Sequence, residues 1–155
     1  MKEQTPASKT FILFQIGDTS YGVPSDSVQQ MELIENITPV PNAADFVEGV
    51  VFTRGQVIPA INLRSRFGFG KVPHTPRSRL IVTNHDGRIV GLIVDSAREF
   101  ISIPNESIQP PPEAIAGTNG KYLKGIVTID GRIILVLDIG ELLTVGELRT
   151  SAASG

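Results

Sequence analysis

An enzyme needs a nucleophile, an acid or base, or a metal, held in a pocket. The residues that could supply one are sparse here. The 155-residue chain has no cysteine, which removes thiol nucleophiles, thiolate metal sites and disulfides. His74 stands in Pro73-His74-Thr75-Pro76 and His85 in a predicted hairpin turn, both expected as solvent-exposed loop residues. The two histidines are too far apart for metal-ligand spacing. Asp18, Asp86 and Asp130 fall in turns, where Asp bonds to its own backbone. Glu32 and Glu35 lie in a strand-like stretch that does not pair them. Arg66-Phe67-Gly68-Phe69-Gly70-Lys71 lacks the final Lys-Ser/Thr of a phosphate loop. No run alternates basic with aromatic residues, as base stacking would require. No catalytic residue, metal or cofactor is expected.

One side chain stands out. Arg54 sits at the tip of an otherwise apolar hairpin, Gly49-Val50-Val51-Phe52-Thr53-Arg54-Gly55-Gln56-Val57-Ile58-Pro59. Composition alone reads it as a solvated turn arginine. The functional reading makes it a partner anchor, with strand alternation leaving apolar neighbours such as Phe52 and Val57 available on the outside.

The elements that would carry this tip are mostly strands. Phe11 to Ile16 and Tyr21 to Val23 flank Gly17-Asp18-Thr19-Ser20. Leu80 to Thr83 and Arg88 to Val94 flank Asn84-His85-Asp86-Gly87. Ile126 to Ile129 and Arg132 to Leu137 flank Asp130-Gly131, and Gly49 to Thr53 and Gln56 to Ile61 flank Arg54-Gly55. Such turns between β-branched runs predict four hairpins. Short helical turns are predicted over Pro41 to Val47, with Asn42 as cap, over Asn62 to Phe67, and over Asp138 to Leu143.

The chain also matches itself. With Phe11 set on Leu80, Tyr21-Gly22-Val23 falls on Val90-Gly91-Leu92, Met31 on Phe100 and Ile34 on Ile103. With Gly49 set on Gly125, Gly55 falls on Gly131, Asn62 on Asp138 and Leu63 on Ile139. Two pseudo-equivalent β units are the simplest reading.

Composition sets the remaining limits. Hydrophobic residues make up 41% of the chain, enough for a sizeable core, and charged residues 19%. A net charge of −2 argues against non-specific binding to nucleic acid or anionic membranes. Met1 to Thr10 has no apolar signal region, and no run approaches the roughly 18 apolar residues of a membrane span. The cytoplasm is therefore the expected location. Residues 1–9 and 147–155 are expected to be flexible ends, with one domain over 10–146.

The segment Phe46-Val47-Glu48-Gly49-Val50-Val51-Phe52-Thr53-Arg54-Gly55-Gln56-Val57-Ile58-Pro59-Ala60-Ile61-Asn62-Leu63-Arg64 carries a family pattern: Gly-Val, Arg-Gly, Ile-Pro, then Asp-Leu-Arg. Phe11-Ile12-Leu13-Phe14, Tyr21-Gly22-Val23, Val90 to Asp95 and Tyr122-Leu123-Lys124-Gly125-Ile126 support it in order and spacing. In these residues the chain resembles the CheW family of bacterial chemotaxis coupling proteins, from about Phe11 to Thr144. The resemblance implies a mostly β fold of two small, intertwined, five-stranded SH3-like barrels related by a pseudo-twofold. It also implies a non-enzymatic adaptor joining chemoreceptor cytoplasmic tips to the regulatory domain of a histidine kinase, recruited to membrane-bound arrays without inserting in the membrane. It assigns partner binding to Arg54 and to the segment containing Val28 and Gln30. This chain departs from the pattern at Phe52-Thr53, where Asn-Leu is common, at Gln30, where an acid is common, and at Asn62, where Asp is usual. A ligand-binding module with a small molecule between the barrels is the alternative; no phosphate cradle or stacking aromatic points to it.

Overall fold

The computed structural model describes residues 8–112 and 122–143. Ten strands and two short helices follow in order: β1 (Ser8–Ile16), β2 (Thr19–Pro24), β3 (Val28–Leu33), β4 (Val47–Thr53), β5 (Gln56–Asn62), α1 (Leu63–Arg66), β6 (Arg79–His85), β7 (Arg88–Val94), β8 (Ser96–Pro104), β9 (Leu123–Ile129), β10 (Arg132–Leu137) and α2 (Ile139–Leu142). All four predicted hairpins form. Arg54-Gly55, Asp86-Gly87 and Asp130-Gly131 each hold positive φ at both residues. That turn follows the right-handed twist of the strands it joins.

The hairpins beginning at β1 and β6 have shorter loops than expected. Thr19 and Ser20 belong to β2, and Asn84 and His85 to β6. Polar side chains hide strand ends in a sequence, but ladder pairing to the last possible residue satisfies more backbone. The predicted helical turn at Pro41 to Val47 does not form: Asn42 takes a left-handed φ of 63°, and the chain runs straight into β4 at Val47. So short a segment has no helical stability of its own, and the demands of the sheet decide. The other two helices do form. Asn62 Oδ1 accepts from the Ser65 amide at 3.1 Å, and Asp138 Oδ1 from the Glu141 amide at 3.1 Å. The first strand starts at Ser8, inside the expected flexible lead-in, and the expected C-terminal tail lies outside the described residues.

The sheets exchange halves of the chain. One runs β8-β1-β2-β10-β9 and the other β3-β6-β7-β5-β4. Each therefore joins the opening hairpin of one half to the last three strands of the other. The two parallel pairings are equivalent: Val136 lies beside Gly22, and Ala60 beside Gly91. Each sheet then closes on itself. Thr38 exchanges two backbone hydrogen bonds of 2.8 Å with Val50, and Gln109 exchanges bonds of 2.9 and 2.7 Å with Ile126. The chains at these closures lie so close that a Cβ on Gly49 would strike the Thr38 carbonyl, and one on Gly125 the Ile108 side chain and the Gln109 carbonyl.

Strand alternation divides the core into three. Phe11, Leu13, Ile103, Val127, Ile134 and Val136 fill the first barrel. Val51, Ile58, Ala60, Leu80, Val82 and Ile93 fill the second. Between the barrels, fifteen buried residues form a shared layer that includes Ile12, Phe14, Ile81, Leu92 and Leu137. At about 2 kcal/mol per buried aliphatic side chain, the shared layer outweighs either barrel's own core. The two barrels thus share one buried apolar layer. An aromatic run, Phe14–Tyr21–Phe67–Tyr122, crosses this layer with ring centroids 5.6, 5.4 and 5.9 Å apart.

Candidate partner-binding site

The β4–β5 tip combines exposed apolar surface with an exposed cation. Phe52 and Val57 face each other across the hairpin, on the opposite side from the core residues Val51 and Ile58. They are 74% and 63% exposed, unusual for side chains of this size. Water around them is released when a partner covers them. Arg54 is exposed and makes no hydrogen bond or ion pair among the described residues. Its φ is 50°, a left-handed conformation that asparagine, aspartate and glycine tolerate far better than arginine. The matching positions of the other two such turns are Asp86 and Asp130. An unpaired arginine in an unfavourable backbone conformation is consistent with selection for what its side chain does.

The remaining expected residues divide. Gln30 Nε2 donates to Thr53 Oγ1 at 3.1 Å, so it lies beside the tip. Thr53 Oγ1 donates to Glu32 Oε2 at 2.6 Å, and Gln30 also contacts Glu32. Two positions at which this chain departs from the family pattern, Gln30 and Thr53, thus touch each other. Val28 is different. It pairs with Thr83 and packs partly buried against the shared layer, contributing to the core more than to the tip.

Sequence reasoning did not find Glu32 as a member of this cluster. The signal was the alternation Gln30, Glu32, which puts both side chains on one face of β3. What could not be read was that barrel closure brings β3 opposite β4. His74 is exposed in its loop, as expected, and its Nε2 lies 2.6 Å from Glu48 Oε2. His85 closes β6 and lies 3.5 Å from Asp86.

The Asn62-Leu63-Arg64 motif acts in the fold rather than at the tip. Asn62 Nδ2 donates to Glu48 at 2.9 Å while its oxygen caps α1. Leu63 is fully buried. Arg64 forks onto Asp95 with three contacts of 3.0–3.2 Å. Asp95 Oδ2 also accepts from the Gly17 amide at 2.8 Å. Asp95 is the single residue between β7 and β8, where the chain passes from one barrel to the other. The ion pair therefore ties that crossover to α1 and to the first hairpin.

Tyr21, Phe67 and Tyr122 border a pocket of about 490 Å³ beside the shared layer. Their faces are engaged with one another, however, since Phe67 lies between the two tyrosines. Arg66 lies 4.6 Å from the centroids of both Phe46 and Tyr122. Among the described residues no three His, Asp or Glu side chains converge as metal ligands would.

A family model for the CheW-like domain matches residues 10–147. The chain is 32% identical over 138 residues to the chemotaxis protein CheW of Klebsiella aerogenes, covering 89% of this chain and 83% of that one. It is 30% identical over 151 residues to protein FrzA of Myxococcus xanthus, covering 96% and 94%. The crystal structure of the scaffolding protein TtCheW from Thermoanaerobacter tengcongensis superposes with a TM-score of 0.83 at 32% identity, over 91% of this chain and 96% of that one. With the two exchanged barrels, the Arg-Gly hairpin and a match over nearly the whole described chain, this protein belongs to the CheW-like family.

Proposed function

We propose that the chain is a non-catalytic scaffold that couples the cytoplasmic tips of chemoreceptors to a histidine kinase in chemotaxis or a related signalling pathway. The observation that carries this reading is Arg54, unpaired among the described residues and fixed in a left-handed turn between exposed Phe52 and Val57, on a fold shared with a scaffolding protein. Arginine at such a place offers up to five donors to carboxylates or carbonyls and lays its stem on apolar surface. Receptor tips are helical hairpins, so the binding mode is a helix against the β4–β5 tip, with Gln30 beside it. The protein works in the cytoplasm at receptor arrays; no helix among the described residues is long and apolar enough to cross a membrane.

A scaffold must hold both partners at once. A chain of this size has room for two patches of modest area, each under the roughly 1,600 Å² of a standard interface, so each contact alone is weak and the array supplies strength through multivalency. The test is analytical ultracentrifugation of the protein with a receptor-tip fragment, with a kinase regulatory domain, and with both. The expected result is a ternary species heavier than either binary one. Strict competition between the two partners would overturn the proposal.

A further inference from the structure

The pseudo-symmetry breaks at the seam of the second barrel. In the first barrel, β8 stays paired with β1 as far as Pro104 before the chain reaches its closure at Gln109. In the second, β3 leaves β6 after Leu33 and closes on Val50 at Thr38, the same five residues on, but where Asn105–Ser107 make a 3-10 turn in the first barrel, this arc bends through Asn36 at a φ of 43°. The arc leaves a groove of about 250 Å³. Val51 and Leu80, both buried, form its floor, and Ile34, Ile37, Leu33 and Phe52 its walls. Leu33 is 55% exposed at the rim.

The charges lining this groove are both negative, Glu32 and Glu35. Glu32 keeps one oxygen on Thr53 and Gln30. Glu35 is exposed and has no partner among the described residues. Arg79, the cross-strand neighbour of Leu33, does not neutralise them: its guanidinium donates to the Pro76 and Ser78 carbonyls, both at 2.8 Å. An apolar slot with an acidic rim complements an apolar side chain carried next to a cation.

We propose that this seam groove is a docking site for a partner protein segment presenting one bulky apolar side chain with a lysine or arginine within a helical turn of it. The apolar side chain enters beside Leu33 over Val51 and Leu80, and the cation lies on Glu35 and the open oxygen of Glu32. This rests on the scaffold reading and gives one of its two partners a surface chemistry opposite to that of Arg54.

The test is calorimetric titration of a receptor-tip fragment and of a kinase regulatory domain into the wild type, Glu35→Gln, Glu35→Lys and Leu33→Asp, with circular dichroism as the folding control. Both positions are exposed, so the variants should fold. The expected result is that one partner binds about fivefold more weakly to Glu35→Gln and more than about tenfold more weakly to Glu35→Lys and Leu33→Asp. The other partner is unaffected, and high salt shrinks the effect of Glu35→Gln. Unchanged affinities for both partners in folded Glu35→Lys and Leu33→Asp overturn the docking site and leave the scaffold reading standing. A wild type that binds neither partner overturns both.

Discussion

Replacing Arg54 by asparagine should raise stability and lower partner affinity together. Arg54 holds a φ of 50° and makes no bond among the described residues, so its removal costs the isolated fold no contact. An L-residue in the left-handed region costs about 1–2 kcal/mol, and asparagine is enriched there. If it recovers half of that cost, the gain is about 0.5–1 kcal/mol, which for a domain of this size raises Tm by about 1–4 °C. Binding moves the other way. Loss of an interface arginine at hot-spot strength costs about 2 kcal/mol, or roughly 30-fold in Kd. Arg54→Glu should weaken receptor binding at least as much, and Arg54→Lys should restore part of it, because lysine lacks the planar fork. The assays are thermal unfolding and titration of a receptor-tip fragment. A higher Tm with unchanged affinity would reduce Arg54 to a solvated turn residue. A lower Tm would show that the side chain holds the fold, and the argument from its freedom would fail.

The Arg64–Asp95 pair is 22% and 31% exposed, so a double-mutant cycle to alanine by urea unfolding should give a coupling of about 1–2 kcal/mol after allowing for solvent screening. Asp95→Ala alone should cost more than Arg64→Ala, because it also frees the Gly17 amide. Gly125→Ala should lose about 2 kcal/mol or more, measured the same way, since its Cβ would strike the Gln109 backbone at the barrel closure. Burial pushes the Tyr21 hydroxyl above its ordinary pKa of 10.0. The unfolded chain therefore ionises first, so the stability Tyr21 supports is full below that pH and is lost as pH rises above it through the raised value of the folded state. Thermal unfolding across the alkaline range should show a shallower decline for Tyr21→Phe than for the wild type; parallel curves would refute the burial argument.

The hairpins were legible because their signals are local. Arg54-Gly55 and Asp130-Gly131 sit between apolar runs, and a two-residue turn fixes both the turn and the register of its strands. The duplication was legible for the same reason: Asn62 and Asp138 cap α1 and α2 through the same bond at the same offset. Pro41 to Val47 was misread because its cap-like Asn42 and its apolar residues suit a helix locally, while the strand that follows required an extended entry. The tip was found through Arg54, but its cluster was not. Glu32 and Thr53 are far apart in sequence and meet only because the sheet curls shut.

By itself, then, the order of residues determined the local elements, the repeat and the family pattern, since each depends on interactions spanning a few residues. The tertiary structure decided which strands share a barrel. Nothing in the alternation of β1 says that one face, Phe11 and Leu13, fills a barrel with Ile134 while the other, Ile12 and Phe14, faces the shared layer. Both faces are apolar, so the pattern is satisfied by either partner. The choice rests on long-range pairing, β1 with β8 and β2 with β10, which satisfies the backbone and buries both faces at once. The same pairing leaves Phe52, Val57 and the Leu33 arc outside, because closure of the second barrel at Thr38 and Val50 fixes which side chains have no room within.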